Sequence, residues 1–120
     1  MFERLAGEDF AYLTTTGRKS GHPHRIEIWF AIENGVIYML SGGGDRADWV
    51  QNIKKSSHVR IQIGSRSTDA TARIARAGKE DARARELLDL KYMGWKTGRT
   101  LSSWARGSTP IVVRLPARRG

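Results

Sequence analysis

The chain of 120 residues contains no cysteine. Without thiols it has no disulfide framework, no thiolate metal ligand and no cysteine nucleophile. Its three histidines, His22, His24 and His58, do not follow the spacing of a metal-binding motif. We therefore expect neither a metal site nor cysteine-based catalysis.

Acidic residues are scarce as well. Asp and Glu number 12 against 21 Lys and Arg, which gives a formal net charge of +9. An excess of this size favours an anionic partner. Nucleic acid, a phosphorylated cofactor and an acidic membrane surface all meet that description.

Long apolar runs are also missing. No stretch approaches the roughly 20 residues that cross a bilayer. The first ten residues, MFERLAGEDF, lack the apolar centre of a secretory signal. We expect a cytoplasmic protein with no transmembrane segment. The length suffices for a single domain, which we assign to residues 1–120.

Alternating apolar and polar residues predict a mainly β fold. The clearest signal is the pair of apolar runs at 26–32 and 36–40, which flank Asn34-Gly35. This dipeptide is favoured in the type I′ turn of a β-hairpin. Four further runs have the length and composition of strands: 12–16, 59–63, 70–76 and 109–115. About six short strands indicate a small antiparallel barrel, with a sandwich as the competing architecture.

Two peripheral helices complete the predicted domain. The first covers residues 46–55, with Asp45 as its N-cap, and the second covers residues 79–92. Residues 93–108 contain three glycines and are predicted to form a long loop or a broken helix. Residues 117–120 follow the last strand, and we expect them to be frayed.

A basic, glycine-flanked loop at residues 17–25, with the sequence GRKSGHPHR, is the clearest candidate for a binding site. Arg18, Lys19 and Arg25 supply three cations, and Ser20 and the backbone supply neutral donors. Phosphate recognition uses this mixture of groups. The spacing is not that of a Walker loop. The alternative is an ordinary solvated hairpin loop in a basic protein.

A second candidate is the run Ser41, Gly42, Gly43 and Gly44, between a predicted strand and the first helix. Backbone N–H groups at a helix start suit an anion or a ring rich in carbonyl groups. Glycines have no Cβ atom to hold a planar ligand away. The alternative is a flexible connector.

Four tryptophans are many for this length. We assign Trp49 to the core, whereas Trp29 lies opposite the apolar face of its strand and is available to stack on a ring or a base. Stacking aromatics and net positive charge also fit a nucleic-acid-binding barrel. The arginines are scattered over separate elements, which disfavours that alternative.

Five segments in fixed order resemble the deazaflavin-dependent nitroreductase family. They are LTTTGRKSG at 13–21, IWF at 28–30, SGGG at 41–44, DWVQN at 48–52 and TPIVV at 109–113. The resemblance implies a split β-barrel of the pyridoxamine-phosphate-oxidase type. It also implies binding of coenzyme F420, an 8-hydroxy-5-deazaflavin with a phosphate and an acidic oligoglutamate tail. Such enzymes pass hydride to quinones, nitro compounds or activated enones. FMN is the alternative cofactor. Related split barrels often pair, so the resemblance also implies a homodimer.

The resemblance also assigns residues to the cofactor. Arg18, Lys19 and Ser20 match the phosphate and tail contacts, with Arg25 close by in the same loop. The loop along the ring corresponds to Ser41, Gly42 and Gly43, and the short-helix contacts correspond to Trp49 and Asn52.

No catalytic residue is assigned by this resemblance. Our candidates for substrate orientation are Trp29, which matches an aromatic residue of the family's substrate pocket, together with Tyr38 and Ser41. The best-known member of the family has a Lys where this chain has Gly42. That member also has tyrosines in the segment that corresponds to residues 95–104, where this chain has none. We therefore expect no tyrosine proton donor from that segment.

Overall fold

A single curled antiparallel sheet forms the centre of the computed structural model, which describes residues 2–116. The expected fraying at 117–120 lies outside the described residues. The strands are β1 (Ala11–Thr16), β2 (Pro23–Ile28), β3 (Ala31–Glu33), β4 (Val36–Ser41), β5 (His58–Ile63), β6 (Arg66–Ile74) and β7 (Thr109–Arg114). Their spatial order is β2-β1-β5-β6-β7-β4-β3. The mainly β, split-barrel prediction is confirmed.

In the described part of the chain, three α-helices accompany the sheet: α1 (Asp48–Lys55), α2 (Lys79–Met93) and α3 (Ser103–Gly107). Short 3-10 turns cover Phe2–Leu5 and Gly44–Arg46. Helix α3 lies in the segment predicted to be a long loop or a broken helix. Within residues 2–116, no helix is long and apolar enough to cross a membrane.

The sheet has one strand more than expected, because the predicted strand 26–32 is broken at Trp29 and Phe30. Strand β2 pairs with β1 at one edge of the sheet, and β3 pairs with β4 at the other edge. Trp29 and Phe30 therefore connect two strands that lie at opposite edges of the sheet. Helix α2 bonds the backbone at the break: Phe30 N–H donates to the Tyr92 hydroxyl at 3.0 Å, and Lys91 donates to the Phe30 carbonyl at 3.0 Å. Burial lowers the pKa of Lys91 and raises the pKa of Tyr92.

The barrel interior is filled by the inward residues of the alternating strands. Leu13, Ile37, Ile61 and Ile111 are fully buried there, and Val50 of α1 joins them. Helix α1 therefore packs directly on the barrel core. Its position is fixed by apolar contacts that are independent of any ligand.

Helix α1 begins two residues later than predicted, and Asp45 is not its cap. Gly44 has a φ of 71°, and the chain forms a separate 3-10 turn over Gly44–Arg46 before the helix starts. The residue preceding the helix is Ala47, which makes no side-chain capping bond. The Asp45 carbonyl instead accepts a hydrogen bond from Gln51.

Helix α2 covers the outer face of β4 and is fastened to the sheet by ion pairs. Arg73 of β6 forms a two-pronged pair with Glu80 at 2.5 and 2.9 Å, and Arg83 pairs with Glu33. The Arg73 guanidinium holds the pKa of Glu80 down at about 2. Burial of the carboxyl acts in the opposite direction but has a smaller effect.

The start of α3 is fixed by the buried Asp89 of α2. The Asp89 carboxylate accepts hydrogen bonds from the backbone N–H and the hydroxyl of Ser102, at 2.7 and 2.6 Å. The Ser102 hydroxyl in turn caps α3 by accepting from Ala105 N–H. Through these bonds, α2 sets the position of the short helix.

We predict that Glu80→Gln lowers the free energy of unfolding by about 1–2 kcal/mol at neutral pH. The pKa of Glu80 is lower in the folded protein than its ordinary value of 4.5. The stabilisation is therefore complete above that value and is lost as the pH falls towards about 2. Urea unfolding of both proteins at a series of pH values measures this, and the two stabilities should converge in acid.

Asp69→Asn provides the control for this prediction. It removes the pair between Asp69 and Arg60, whose side chains are 64% and 54% exposed, so its cost should be under about 1 kcal/mol. Equal losses of stability in the two variants would contradict the role assigned to the Arg73–Glu80 pair. A stability difference between Glu80→Gln and the wild-type protein that does not narrow in acid would contradict it as well.

Candidate functional site

A cleft of about 660 Å³ lies between the basic loop 17–25 and helix α1. This volume is in the range typical of small-molecule sites. Six of the nine residues predicted to bind a cofactor line it: Arg18, Lys19, Ser20, Arg25, Trp49 and Asn52. We call it the loop cleft.

The loop is held against α1 by Arg18. Asn52 Oδ1 accepts hydrogen bonds from the backbone N–H and the guanidinium of Arg18, at 3.1 and 3.0 Å. The guanidinium also pairs with Asp48 Oδ1 at 3.0 Å, and the Arg18 carbonyl accepts from Lys55 Nζ at 2.7 Å. The cation is therefore positioned before any ligand arrives, which reduces the entropic cost of binding.

Asn52 is buried, with 4% of its surface exposed. Its Nδ2 donates to the Thr15 hydroxyl at 3.0 Å, and its Oδ1 receives both bonds from Arg18. The amide thus joins strand β1, the loop and helix α1. Its observed contacts are those of a positioning residue, and a direct contact with a cofactor stays a prediction.

The electrostatics of the loop cleft favour an anion. Arg18, Lys19 and Arg25 line it together with one carboxylate, that of Asp48. The Arg25 guanidinium lies 3.9 Å from the centre of the Tyr12 ring, a cation–π contact that keeps the charge near the cleft.

An apolar surface adjoins these charges. Trp49 and Ile26 line the loop cleft and pack against the barrel core while half-buried. The assignment of Trp49 to the core thus describes one side of this residue, because its other side borders the cleft. A ring and an attached anion would each find a matching surface here.

Gly17 allows the loop to close tightly. A Cβ at this buried position would lie 2.6 Å from His24 Nε2 and 2.8 Å from Ser20 Oγ. The bond from Gly17 N–H to the His22 carbonyl, at 2.8 Å, closes the loop. Gly42, in the glycine run, is less crowded. A Cβ at this position would have its nearest neighbour 3.9 Å away, at Trp104 Nε1.

The other three predicted cofactor residues, Ser41, Gly42 and Gly43, do not line the loop cleft. Ser41 is buried, and its hydroxyl donates to the Gly44 carbonyl at 2.8 Å, so it shapes the glycine turn. Gly42 and Gly43 are exposed. Their proposed contact with a ring stays a prediction.

Tyr38 lies under helix α2, packed with Leu40, Leu87 and Leu88 on the outer side of the sheet. It lines neither the loop cleft nor the cleft at Trp29 described below. Burial is the main cause that raises its pKa. These positions give no support to Tyr38 as a substrate-orienting residue.

A second cleft, of about 250 Å³, is lined by Trp29, Trp104, Leu40, Ile28 and Glu27. We call it the aromatic cleft. The Trp29 ring stacks on Tyr92 with centroids 4.4 Å apart, and it meets Trp104 edge-on at 5.4 Å. Trp29 remains 44% exposed, in line with its predicted position away from the core.

Sequence reasoning missed two residues that line these clefts, Asp48 and Trp104, and one that bonds the basic loop, Lys55. Asp48, Asn52 and Lys55 follow the i, i+4, i+7 spacing of one helix face, so the pattern was available in the sequence. Trp104 had a weaker signal, the capping serine two residues before it. Its partners are distant along the chain and could not be inferred locally.

The structure is a split β-barrel, and its loop cleft combines three cations with an apolar wall. The chain matches the F420H(2)-dependent quinone reductase family over residues 1–116 and belongs to it. It is therefore an oxidoreductase that uses coenzyme F420. The resemblance noted in the sequence is confirmed, and F420 is supported over FMN.

Solved structures agree with this assignment. The chain is 26% identical to an F420-H2-dependent reductase, FDR-A, with a TM-score of 0.68 over 88% of this chain and 94% of the other. A domain-swapped dimer is also 26% identical, with a TM-score of 0.67 over 88% and 80%. A conserved hypothetical protein from Mycobacterium tuberculosis shares the fold, at 19% identity and a TM-score of 0.76 over 98% and 78%.

We predict that Asn52→Ala destabilises the fold by about 1–3 kcal/mol, because it leaves the Thr15 hydroxyl and the Arg18 backbone N–H without their partner. Release of Arg18 should also weaken F420 binding. Urea unfolding and a binding titration measure the two effects.

Gln51→Ala is the matched control, since the Gln51 amide contacts only the Asp45 carbonyl among the described hydrogen bonds of residues 2–116. We expect it to cost less than Asn52→Ala in both measurements. If the two variants are equally stable and bind F420 equally well, Asn52 does not organise the site.

Proposed function

We propose that this enzyme binds F420 in the loop cleft and reduces a small electrophilic acceptor, such as a quinone, a nitro compound or an activated enone, at the aromatic cleft. The observation that carries the proposal is the loop cleft itself. Six residues assigned to the cofactor line it, and they combine three cations with an apolar wall.

The residues of the loop cleft suit the two chemical parts of the coenzyme. Arg18 and Lys19 would hold the phosphate, with the hydroxyl of Ser20 and the guanidinium of Arg25 as further donors. Trp49 offers an apolar surface to the ring. At Gly17 the loop is packed so closely that no side chain can project from this position towards the coenzyme.

When bound in its reduced form, the deazaflavin supplies a hydride. The protein's own part is to hold the reactants in a reactive geometry and to exclude water. We assign no catalytic residue, and we propose that any proton required comes from solvent.

The acceptor would lie against Trp29 and Trp104. Two aromatic faces that meet edge-on give a planar acceptor an apolar surface for stacking. The glycine run borders this place, since a Cβ on Gly42 would lie 3.9 Å from Trp104 Nε1. We propose that Ser41, Gly42 and Gly43 form the boundary between cofactor and acceptor.

We also propose that the enzyme works in the cytoplasm and forms a homodimer. The domain-swapped dimer among its structural relatives supports the second point. Sedimentation of the purified protein at several concentrations tests it. A monomer at every concentration would contradict the dimer without affecting the assignment of the clefts.

We predict that the double substitution of Arg18→Ala and Lys19→Ala weakens F420 binding by about tenfold or more, which is at least ~1.4 kcal/mol. Two cations that face the coenzyme phosphate are lost. Titration with F420, and separately with FMN, is followed by tryptophan fluorescence.

A double variant that retains wild-type affinity within about twofold would show that the phosphate does not bind at Arg18 and Lys19. Saturable quenching by neither cofactor, together with tight binding of single-stranded nucleic acid, would overturn the enzyme proposal. The control is Arg60→Ala, which removes an exposed cation that pairs with Asp69 and lines neither cleft.

We predict that Trp29→Ala and Trp104→Ala each raise the KM for the acceptor by about fivefold or more while changing the F420 affinity by less than about twofold. Each removes one aromatic wall of the aromatic cleft. Steady-state kinetics with a soluble quinone, and F420 titration, measure the two quantities.

Trp95→Phe serves as the control for these variants. The Trp95 indole donates to the Arg99 carbonyl and is not a lining residue of the aromatic cleft. If Trp95→Phe raises the acceptor KM as much as the other two substitutions, the acceptor does not bind at the aromatic cleft.

A further inference from the structure

The two clefts differ in the sign of their charge. The loop cleft is lined by Arg18, Lys19 and Arg25 against one carboxylate, that of Asp48. In the described part of the chain, the aromatic cleft is lined by a single charged residue, Glu27, and by no cation. The place proposed for the acceptor is therefore electrostatically unlike the place proposed for the coenzyme.

The Glu27 carboxylate is available to a ligand. Glu27 is an exposed residue of β2, and among residues 2–116 its carboxylate forms no ion pair. Arg25 shares this face of the strand, but its guanidinium lies over the Tyr12 ring and near Gln62. The Lys91 ammonium is bonded to two backbone carbonyls and does not line the cleft.

The aromatic walls of this cleft also favour a positive charge. The rings of Trp29 and Trp104 meet at 84°, with centroids 5.4 Å apart. A ligand in the corner between two perpendicular rings lies over the face of an indole. That face attracts a cation within about 6 Å of the ring centre, and among aromatic side chains the indole does so most strongly. Aromatic faces beside a carboxylate are thus a site for a planar cation.

A cationic acceptor further suits the acid–base character of the cleft. Quinones and enones take up a proton as well as a hydride, whereas a cation becomes neutral on receiving the hydride alone. Four of the five residues that line the cleft in the described part of the chain are aliphatic or aromatic, namely Ile28, Trp29, Leu40 and Trp104. The fifth is the Glu27 carboxylate, which in its ionised form accepts protons rather than donating them.

We propose that the aromatic cleft prefers planar heteroaromatic cations, of the class of N-alkylated nitrogen rings, and that Glu27 selects them by charge. The proposal rests on the proposed function, because it requires the acceptor to lie at the aromatic cleft. It adds to that function a substrate class and a residue that determines specificity.

The reaction with such an acceptor balances without a proton donor on the protein. Hydride from the reduced coenzyme forms a C–H bond at a ring carbon, and the electron pair of the C=N⁺ bond moves to nitrogen. The acceptor gains two electrons and becomes neutral. The coenzyme loses two electrons and releases one proton to solvent. The neutral product no longer has the charge that Glu27 and the indoles attract, which favours its release.

The experiment uses one ring system in three charge states at mildly alkaline pH: N-methylacridinium as the cation, acridine as the neutral form and an acridine carboxylate as the anion. Titration calorimetry measures their dissociation constants with coenzyme-free protein and with protein saturated with oxidised F420, which cannot donate hydride. The variants are Glu27→Gln and Glu27→Lys. The control is Glu86→Gln, which removes a carboxylate that pairs with Arg83 and does not line the cleft.

For the wild-type protein we expect the cation to bind about fivefold or more tightly than acridine, and the anion to bind most weakly. Glu27→Gln should reduce this preference by about threefold or more and leave acridine within about twofold of its wild-type affinity. Glu27→Lys should reverse the order of cation and anion, and Glu86→Gln should retain the wild-type order. With reduced F420, Glu27→Gln should lower kcat/KM for N-methylacridinium but not for a neutral quinone.

Three results would overturn the proposal. The wild-type protein binds the three probes equally, Glu27→Gln leaves the preference for the cation unchanged, or Glu86→Gln reduces that preference as much as Glu27→Gln does. The last result would mean that the cation senses the overall field of the protein. Any of them can occur while F420 binds and a neutral quinone is reduced, which leaves the proposed function intact. Absence of F420 binding, by contrast, would overturn the proposed function.

Discussion

The buried amide of Asn52 is the contact on which the arrangement of the loop cleft depends. It joins three parts of the chain: strand β1 through Thr15, the basic loop through Arg18, and helix α1 to which it belongs. Helix α1 is itself fixed by Val50 in the barrel core. The apolar core therefore determines where the amide lies, and the amide determines where the guanidinium points. In the binding mode we propose, the coenzyme phosphate meets a cation that the fold has already oriented, at little further entropic cost.

Much of this arrangement was predictable from the sequence. The hairpin at Asn34-Gly35 and the alternating strands follow from local periodicity, and the structure confirms the barrel. The residues of the basic loop also converge on one cleft with Trp49 and Asn52. Local chemistry sufficed here because the cations, the closing glycines and the following strand lie within a short stretch of chain.

The remaining features depend on contacts between distant parts of the chain. The break at Phe30 is stabilised by Lys91 and Tyr92, about sixty residues away, so the alternating pattern alone predicted one continuous strand. Helix α3 is short and weakly helical in composition, and it is fixed by the buried carboxylate of Asp89. The contact of Lys55 with the Arg18 carbonyl also joins distant positions, 37 residues apart along the chain.

The two clefts are built from different parts of the chain. The loop cleft uses residues 17–26 and helix α1, whereas the aromatic cleft takes one of its walls from Trp104, in the segment that follows helix α2. The bonds from Ser102 to Asp89 tie that segment to α2 rather than to the loop cleft. Substitutions between residues 94 and 108 can therefore change the aromatic cleft without altering any residue that lines the loop cleft. In a lineage of such enzymes, the range of acceptors can diverge while the use of one cofactor is inherited unchanged.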